Sequence, residues 1–341
     1  MKYFFNPKEP FSPEPAPPAG LSKKIRERYN GPMIDATTPD AKRGETGCTP
    51  FQEGGLSVII PCHNEAATLP EILRKVSATL GQHEIIVVDD ASTDETGEFL
   101  RTLDNPCVRV IRHEMKLGYG ASLKSGILAS RFSWIGITDA DGTYPVEELA
   151  RFLQFRDRYD MIVGARVGII RKIPLFRRPA KWLINKLASY IARRKIPDVN
   201  SGLRLFKKEI TRQYWTIFPD GFSFTTTLTL AMYMGRYRIH YIPINYLKRI
   251  GKSKIHPVKD TYQFVLLILR LAMLFDPLRI FMPPFFVTAF LAFVSLVRDI
   301  VHLNLAETTV TLFVAAILLL MLGLLADLIN KKFPWKHSDL S

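Results

Sequence analysis

Short apolar runs that alternate with helical stretches restrict this chain more than any other feature. "LSVII" (56–60), "EIIVVDD" (84–90), "CVRVI" (107–111), "SWIGITD" (133–139) and "MIVGA" (161–165) have the length and β-branched content of buried strands. Between them, "EAATLPEILRKVSATL" and "YGASLKSGILAS" carry the period of helices. Strand and helix in alternation predict a doubly wound α/β sheet, in which ligands bind outside the carboxyl ends of the strands.

Those ends are polar. The first strand runs into "PCHNE" (Pro61–Glu65), the second into "DDASTD" (Asp89–Asp94) and the fourth into "DADGTYP" (Asp139–Pro145). Side chains alternate along a strand, so Asp139 and Asp141 can project to one side as the strand runs out and hold a cation between them. A lone D-x-D is an ordinary turn. Three polar clusters at equivalent strand ends are not explained by turn formation, and they predict a binding rim.

The flanking regions differ in character. Residues 1–54 are rich in Pro, Gly and charge without periodicity and read as an extended or disordered arm. The α/β domain is expected over 55–256, followed by an amphipathic interfacial helix over 257–275 in which Asp260 and Arg270 interrupt bulky apolar residues. "IFMPPFFVTAFLAFVSLV" (280–297) and "TVTLFVAAILLLMLGLLADLI" (309–329) are each long enough to span a bilayer, placing two transmembrane helices within 276–332 and a tail over 333–341. The net charge of +14 is unevenly spread: ten Lys or Arg and no acid from Ala165 to Pro197, and seven with no acid from Gly221 to Lys259. Basic runs beside apolar spans point to anionic lipid and phosphate, not nucleic acid, and the charge bias around the hairpin predicts a multi-pass membrane protein with a cytosolic catalytic domain.

Five segments in this order, "SVIIPCHNEAATLPEIL", "EIIVVDDASTDET", "KLGYGASLKSGI", "DADGTYP" and "DVNSGLRLF", followed by membrane helices, resemble inverting GT-A glycosyltransferases of the polyprenyl-phosphate hexose synthase branch. The resemblance covers Leu56 to Ile329. It implies a Rossmann-like GT-A domain, a nucleotide sugar (UDP- or GDP-hexose) as donor, polyprenyl phosphate as acceptor, and Mg²⁺ or Mn²⁺ as cofactor. By the same resemblance, Pro61, His63, Glu65, Asp90 and Asp139 bind the nucleotide. Asp139, Asp141 and Thr143 hold the metal, the last replacing a glutamine frequent in dolichol-phosphate mannose synthases. Asp141 or Asp198 would assist the chemistry. The loop with Ser201 and Arg204 is expected near the acceptor phosphate, and the acid-free basic run adds Arg166, Arg171 and Arg177 as expected ligands of that phosphate, while Arg249, Lys252 and Lys254 resemble a basic loop over the diphosphate. Where many relatives carry an acid, "GFSFTTTLTLAMYM" offers hydroxyls; an anionic phosphate acceptor needs little base assistance.

The expected activity is transfer of one hexose to polyprenyl phosphate with inversion, giving a lipid-linked sugar donor. A processive polysaccharide synthase is the enzymatic alternative, although no Q-x-x-R-W motif is present. A catalytically silent membrane scaffold is the non-enzymatic one. Homo-oligomerisation stays open.

Overall fold

A computed structural model describes residues 55–80, 83–167, 186–221, 223–247 and 257–332. The expected arm over 1–54, the arginines Arg171 and Arg177, and the basic loop with Arg249, Lys252 and Lys254 lie outside the described residues.

Seven strands form one sheet: β1 (Leu56–Cys62), β2 (His83–Asp89), β3 (Val108–Arg112), β4 (Trp134–Ile137), β5 (Met161–Val167), β6 (Arg204–Lys207) and β7 (Ile239–Asn245). Their order is β3-β2-β1-β4-β6-β5-β7. β6 pairs antiparallel with both β4 and β5, and the other six strands run one way. The expected doubly wound sheet is therefore present with one reversal. The reversal has a functional consequence: the start of β6 lies on the same rim as the carboxyl ends of its neighbours, with Arg204 opposite Ile137.

Alternation along the strands feeds two cores. Val58, Ile60, Ile85 and Val87 face α1 (Leu69–Thr79) and α4 (Glu148–Leu153); Ile59, Ile86, Val88, Ile135 and Ile137 face α3 (Tyr119–Ala129) and α6 (Phe224–Met234). Two shorter helices, α2 (Thr96–Thr102) and α5 (Lys208–Gln213), complete the domain. In α1 the buried Leu69, Ile72, Leu73 and Val76 recur at helical spacing, and Pro70 is tolerated in the first turn, where its missing N–H has no helical partner. Thr68 occupies the cap position, and its hydroxyl instead donates to the Ala140 carbonyl, tying α1 to the D-x-D segment.

α7 (Pro257–Phe275) buries Ile268, Leu271 and Ala272 against Leu230 of α6 and against Ala188, Ile191 and Ala192 of a helical stretch at 186–192. α8 (Leu278–Val301) and α9 (Glu307–Lys332) follow, both apolar and long enough to cross a membrane. At 1.5 Å per residue they extend about 36 and 39 Å, against about 30 Å of hydrocarbon. They pack as a hairpin in which a Cβ on Gly323 would come within 2.8 Å of Phe281 Cβ, so glycine sets the closeness of approach. At the turn, Asp299 accepts hydrogen bonds from the Ala306 amide and the Thr309 hydroxyl.

Candidate active site

The loops after β1 and β2 are sewn together by polar contacts. Asn64 N–H donates to Ser92 Oγ (3.0 Å), Thr93 N–H to Asn64 Oδ1 (2.8 Å), and Glu65 N–H to Thr96 Oγ1 (3.0 Å). Asn64 (φ 59°) and Ala91 (φ 55°) both sit in the left-handed region, costly for residues with a Cβ and sustained by this stitching. Pro61 is buried within β1. His63 lies half-buried with Nδ1 2.8 Å from the Asp90 carbonyl; a carbonyl only accepts, so Nδ1 carries the proton.

Asp90 is buried and surrounded by donors. Its Oδ1 accepts from His113 Nδ1 (2.9 Å) and Leu117 N–H (2.8 Å), and Oδ2 from Gly118 N–H (2.9 Å). Burial raises its pKa, but the bonds from His113, Leu117 and Gly118 outweigh that and hold it below the usual carboxylate value. His113, itself buried, is fixed on its other nitrogen by Ser125 Oγ at 2.9 Å.

Asp139 and Asp141 stand where β4 ends, and a hydroxyl pins each. Tyr119 donates to Asp139 Oδ1 at 2.9 Å; Thr143 Oγ1 donates to Asp141 Oδ1 at 2.6 Å and its amide to the same oxygen at 3.1 Å. The Thr143 hydroxyl is thus engaged with a carboxylate, and its part in the site is to orient Asp141. Gly142, at φ 71°, makes the turn that glycine favours. Burial, followed by the charge and hydrogen bond of Asp139, pushes the Tyr119 pKa well up, so this phenol stays a donor.

The loop before β6 closes the rim. Gly202 N–H donates to Tyr144 Oη at 2.7 Å, and a Cβ on Gly202 would fall 2.5 Å from Asp139 Oδ2. Glycine is required there by proximity to the carboxylate. Asp198 grips Arg166 with two bonds, Nε at 2.7 Å and Nη2 at 2.8 Å. The guanidinium also lies over the Tyr246 ring at 5.4 Å, and Tyr246 meets Tyr144 edge-on at 5.2 Å. Burial opposes the charge on Arg166, but Tyr144 and Asp198 outweigh it and raise its pKa. A carboxylate bound twice to a guanidinium is a weak base, so the expected chemical assistance from Asp198 is corrected to the holding of Arg166.

Two expected phosphate ligands are also corrected. Arg204 is wholly buried, and its guanidinium donates to the carbonyls of Ser201 (2.6 Å), Thr225 (2.9 Å) and Val199 (2.9 Å) and to Thr229 Oγ1 (2.6 Å). It braces the 199–202 loop against α6 and cannot meet a lipid headgroup. Ser201 is equally closed off; its hydroxyl is buried without a hydrogen-bond partner among the described residues. The hydroxyls of the acid-free segment serve the same loop, with Thr225 and Thr226 both donating to Asn200 Oδ1 (2.6 and 3.3 Å).

A few residues away, the domain is joined to the apolar hairpin. Arg193 Nη2 donates to Asp276 Oδ2 (2.9 Å), Arg279 Nη1 to the Ile191 carbonyl (2.9 Å) and Tyr190 Oη to the Arg279 carbonyl (3.1 Å). The Arg279 guanidinium also sits 4.8 Å from the Tyr190 ring centroid.

Comparison with known proteins fits this geometry. The family described as Glycosyl transferase family 2 matches residues 57–215. Polyprenol monophosphomannose synthase of Mycolicibacterium smegmatis is 31% identical over 211 residues, which are 58% of this chain and 80% of that relative. The chain belongs to glycosyl transferase family 2. Outside that domain, residues 276–331 match the GtrB C-terminal hairpin. A second relative, dolichyl-phosphate hexose transferase of Haloferax volcanii, is 29% identical over 213 residues, or 61% of this chain and 90% of the relative. Among solved structures, glucosyl-3-phosphoglycerate synthase from Mycobacterium tuberculosis, in complex with Mn²⁺, UDP and phosphoglyceric acid, superposes with a TM-score of 0.51 at 17% identity, covering 64% of this chain and 78% of that one. That likeness is one of fold and marks the domain as GT-A.

Proposed function

We propose that this family 2 enzyme transfers a single hexose from a nucleotide sugar to polyprenyl phosphate, with inversion, at a membrane surface. The observation that carries the reading is the short distance along the chain from the rim to the hairpin. Tyr190 and Arg193 contact Arg279 and Asp276 at the start of α8, and five residues after Arg193 comes Asp198, which holds Arg166 at the rim. An acceptor phosphate confined to headgroup level can meet a site held down in this way. The relatives named for dolichyl and polyprenol phosphate support the same acceptor class.

Asp139 and Asp141 fit a divalent cation. They are hard oxygen donors separated by a single alanine, each with one oxygen fixed by a hydroxyl, and the absence of a Cβ at Gly202 leaves Asp139 its space. Mg²⁺ or Mn²⁺ bound there supplies neutralisation of the charge on the departing diphosphate. The protein's own groups do the rest: the loops around Asn64 and Ala91 shape the nucleotide end, Arg166, with Nε and Nη2 held by Asp198, turns its charge and its remaining N–H groups to the acceptor phosphate, and the acceptor's own anionic oxygen attacks without a carboxylate base. The basic run from Ala165 to Pro197 and the lysines closing α9 support a reading in which both flanks of the hairpin, and the catalytic domain, face the cytosol.

The test is incubation of membranes containing the protein with radiolabelled UDP-glucose or GDP-mannose and polyprenyl phosphate, followed by lipid extraction. Label in the lipid phase, released by mild acid as a monosaccharide, is expected. Release of a polymer, or label confined to water-soluble product, overturns the assignment.

A further inference from the structure

Three consecutive residues where the chain enters α3 reach two acids of the proposed donor site, Asp90 and Asp139. The amides of Leu117 and Gly118 donate to the two oxygens of Asp90, at 2.8 and 2.9 Å, and the hydroxyl of Tyr119 donates to Asp139 Oδ1 at 2.9 Å. Gly118 makes the turn between these contacts at φ 106°, where a Cβ would also fall 2.7 Å from the Asp220 carbonyl. The loop is anchored behind: Gly120 N–H donates to the Gly221 carbonyl (3.1 Å) and Ala121 N–H to the Asp220 carbonyl (2.9 Å). Because its amides are fixed by Asp90 and its following turn by residues 220–221, the Tyr119 phenol has little freedom except to point at Asp139.

We infer that Tyr119 is a positioning residue that couples nucleotide binding to cation binding by fixing the Asp139 carboxylate from the loop that also holds Asp90. The inference rests on the reading of Asp139 as a cation ligand. With Oδ1 held by the phenol and Gly202 packed against Oδ2, the carboxylate is kept in one orientation before any cation arrives, and the ordering cost is met during folding. Nucleotide seated against the Asp90 end restrains the same loop, so the two ligands bind more tightly together than singly, and reciprocally.

The test uses the full chain in detergent and titrates Mn²⁺ by calorimetry, alone and with saturating UDP or GDP; metal-free nucleotide binding and thermal melting are measured alongside. Wild type is expected to bind Mn²⁺ more tightly in the presence of one of the nucleotides. In Tyr119→Phe, which removes only the hydroxyl oxygen, the Mn²⁺ Kd with nucleotide should rise about tenfold, the worth of one charge-assisted hydrogen bond. Metal-free nucleotide binding should be unchanged. If wild type binds no Mn²⁺ under either condition, the cation reading fails and this inference falls with it. If wild type binds Mn²⁺ and Tyr119→Phe binds it equally well, the cation reading stands and the inference alone is wrong. Joint loss of metal-free nucleotide binding and melting temperature in Tyr119→Phe would assign the phenol to structure only and likewise overturn it.

Discussion

Replacing Gly202 with alanine tests how closely the rim is built. The new Cβ would lie 2.5 Å from Asp139 Oδ2, 2.8 Å from its Cγ and 2.9 Å from its Oδ1. Ordinary contact begins near 3.4 Å, so the carboxylate or the 199–202 loop must give way by about 0.9 Å. The loop is the stiffer partner, because Arg204 holds the carbonyls at 199 and 201 and Tyr144 holds the Gly202 amide. The carboxylate therefore moves, losing its Tyr119 bond. A displacement near 1 Å at a reacting centre costs about 100-fold in rate, equivalent to about 2.7 kcal/mol of transition-state stabilisation. We expect kcat for hexose transfer to fall by that order, while acceptor KM and the melting temperature change little. Gly202→Ser should be at least as severe. A Gly202→Ala enzyme with wild-type kcat would refute the reasoning, since it would show that Asp139 can move without consequence.

Arg204→Met should lower the unfolding free energy by about 2–4 kcal/mol with little change in acceptor KM, because the Ser201 carbonyl loses its donor inside the protein, whereas Arg166→Ala, which leaves the buried Asp198 carboxylate without its guanidinium, should both lower stability and raise acceptor KM; urea titration and steady-state kinetics separate the two. Chelation by EDTA, or Asp141→Asn, should reduce transfer by orders of magnitude with circular dichroism unchanged, and persistence of full activity in EDTA would remove the cation from the reaction. The Asp90 pKa is depressed on folding, so its stabilising contribution is present above about pH 4 and is lost as pH falls through the folded value. Asp90→Asn should accordingly cost stability at pH 7 and flatten the wild-type decline below about pH 4, as read from urea midpoints at pH 7, 5, 4 and 3.

The parts of this molecule visible in its sequence are those with short-range pattern. Strands β1 to β5 announce themselves because each is an apolar run bounded by turn residues, and the D-x-D is visible because its two acids are two residues apart. β6 is only four residues long and enters directly from a loop, and β7 is an edge strand interrupted by Pro243, so neither carries a strong strand signal. The partners of the acids were hidden for a related reason: Tyr119 lies 20 residues from Asp139, Tyr144 58 residues from Gly202, and His113 23 from Asp90. Nothing in local spacing links them. The resemblance of "DVNSGLRLF" to an acceptor-phosphate loop does not reveal that Arg204 is buried. Its place in "GLRLF", two residues from the core residue Phe206 on a strand of period two, was the available clue that it points inward.

The single reversed strand also divides the chain into parts that can evolve at different rates. β1 to β4 and their loops, a continuous segment, carry the acids proposed for nucleotide and cation; the excursion between β5 and β6, with the hairpin docked to it, carries Asp198, which holds Arg166 at the end of β5, and the link to α8. β6 returns into the sheet between β4 and β5, fixed by its pairing to both. The excursion can therefore change in length or sequence without shifting the register of any strand that bears a donor-binding acid. A lineage adapting to a new lipid acceptor could rewrite that stretch up to Asp198 and keep its sugar nucleotide, and chimeras exchanging residues between Val167 and Asp198, which leave Gly202 in place beside Asp139, are the natural units for redesign.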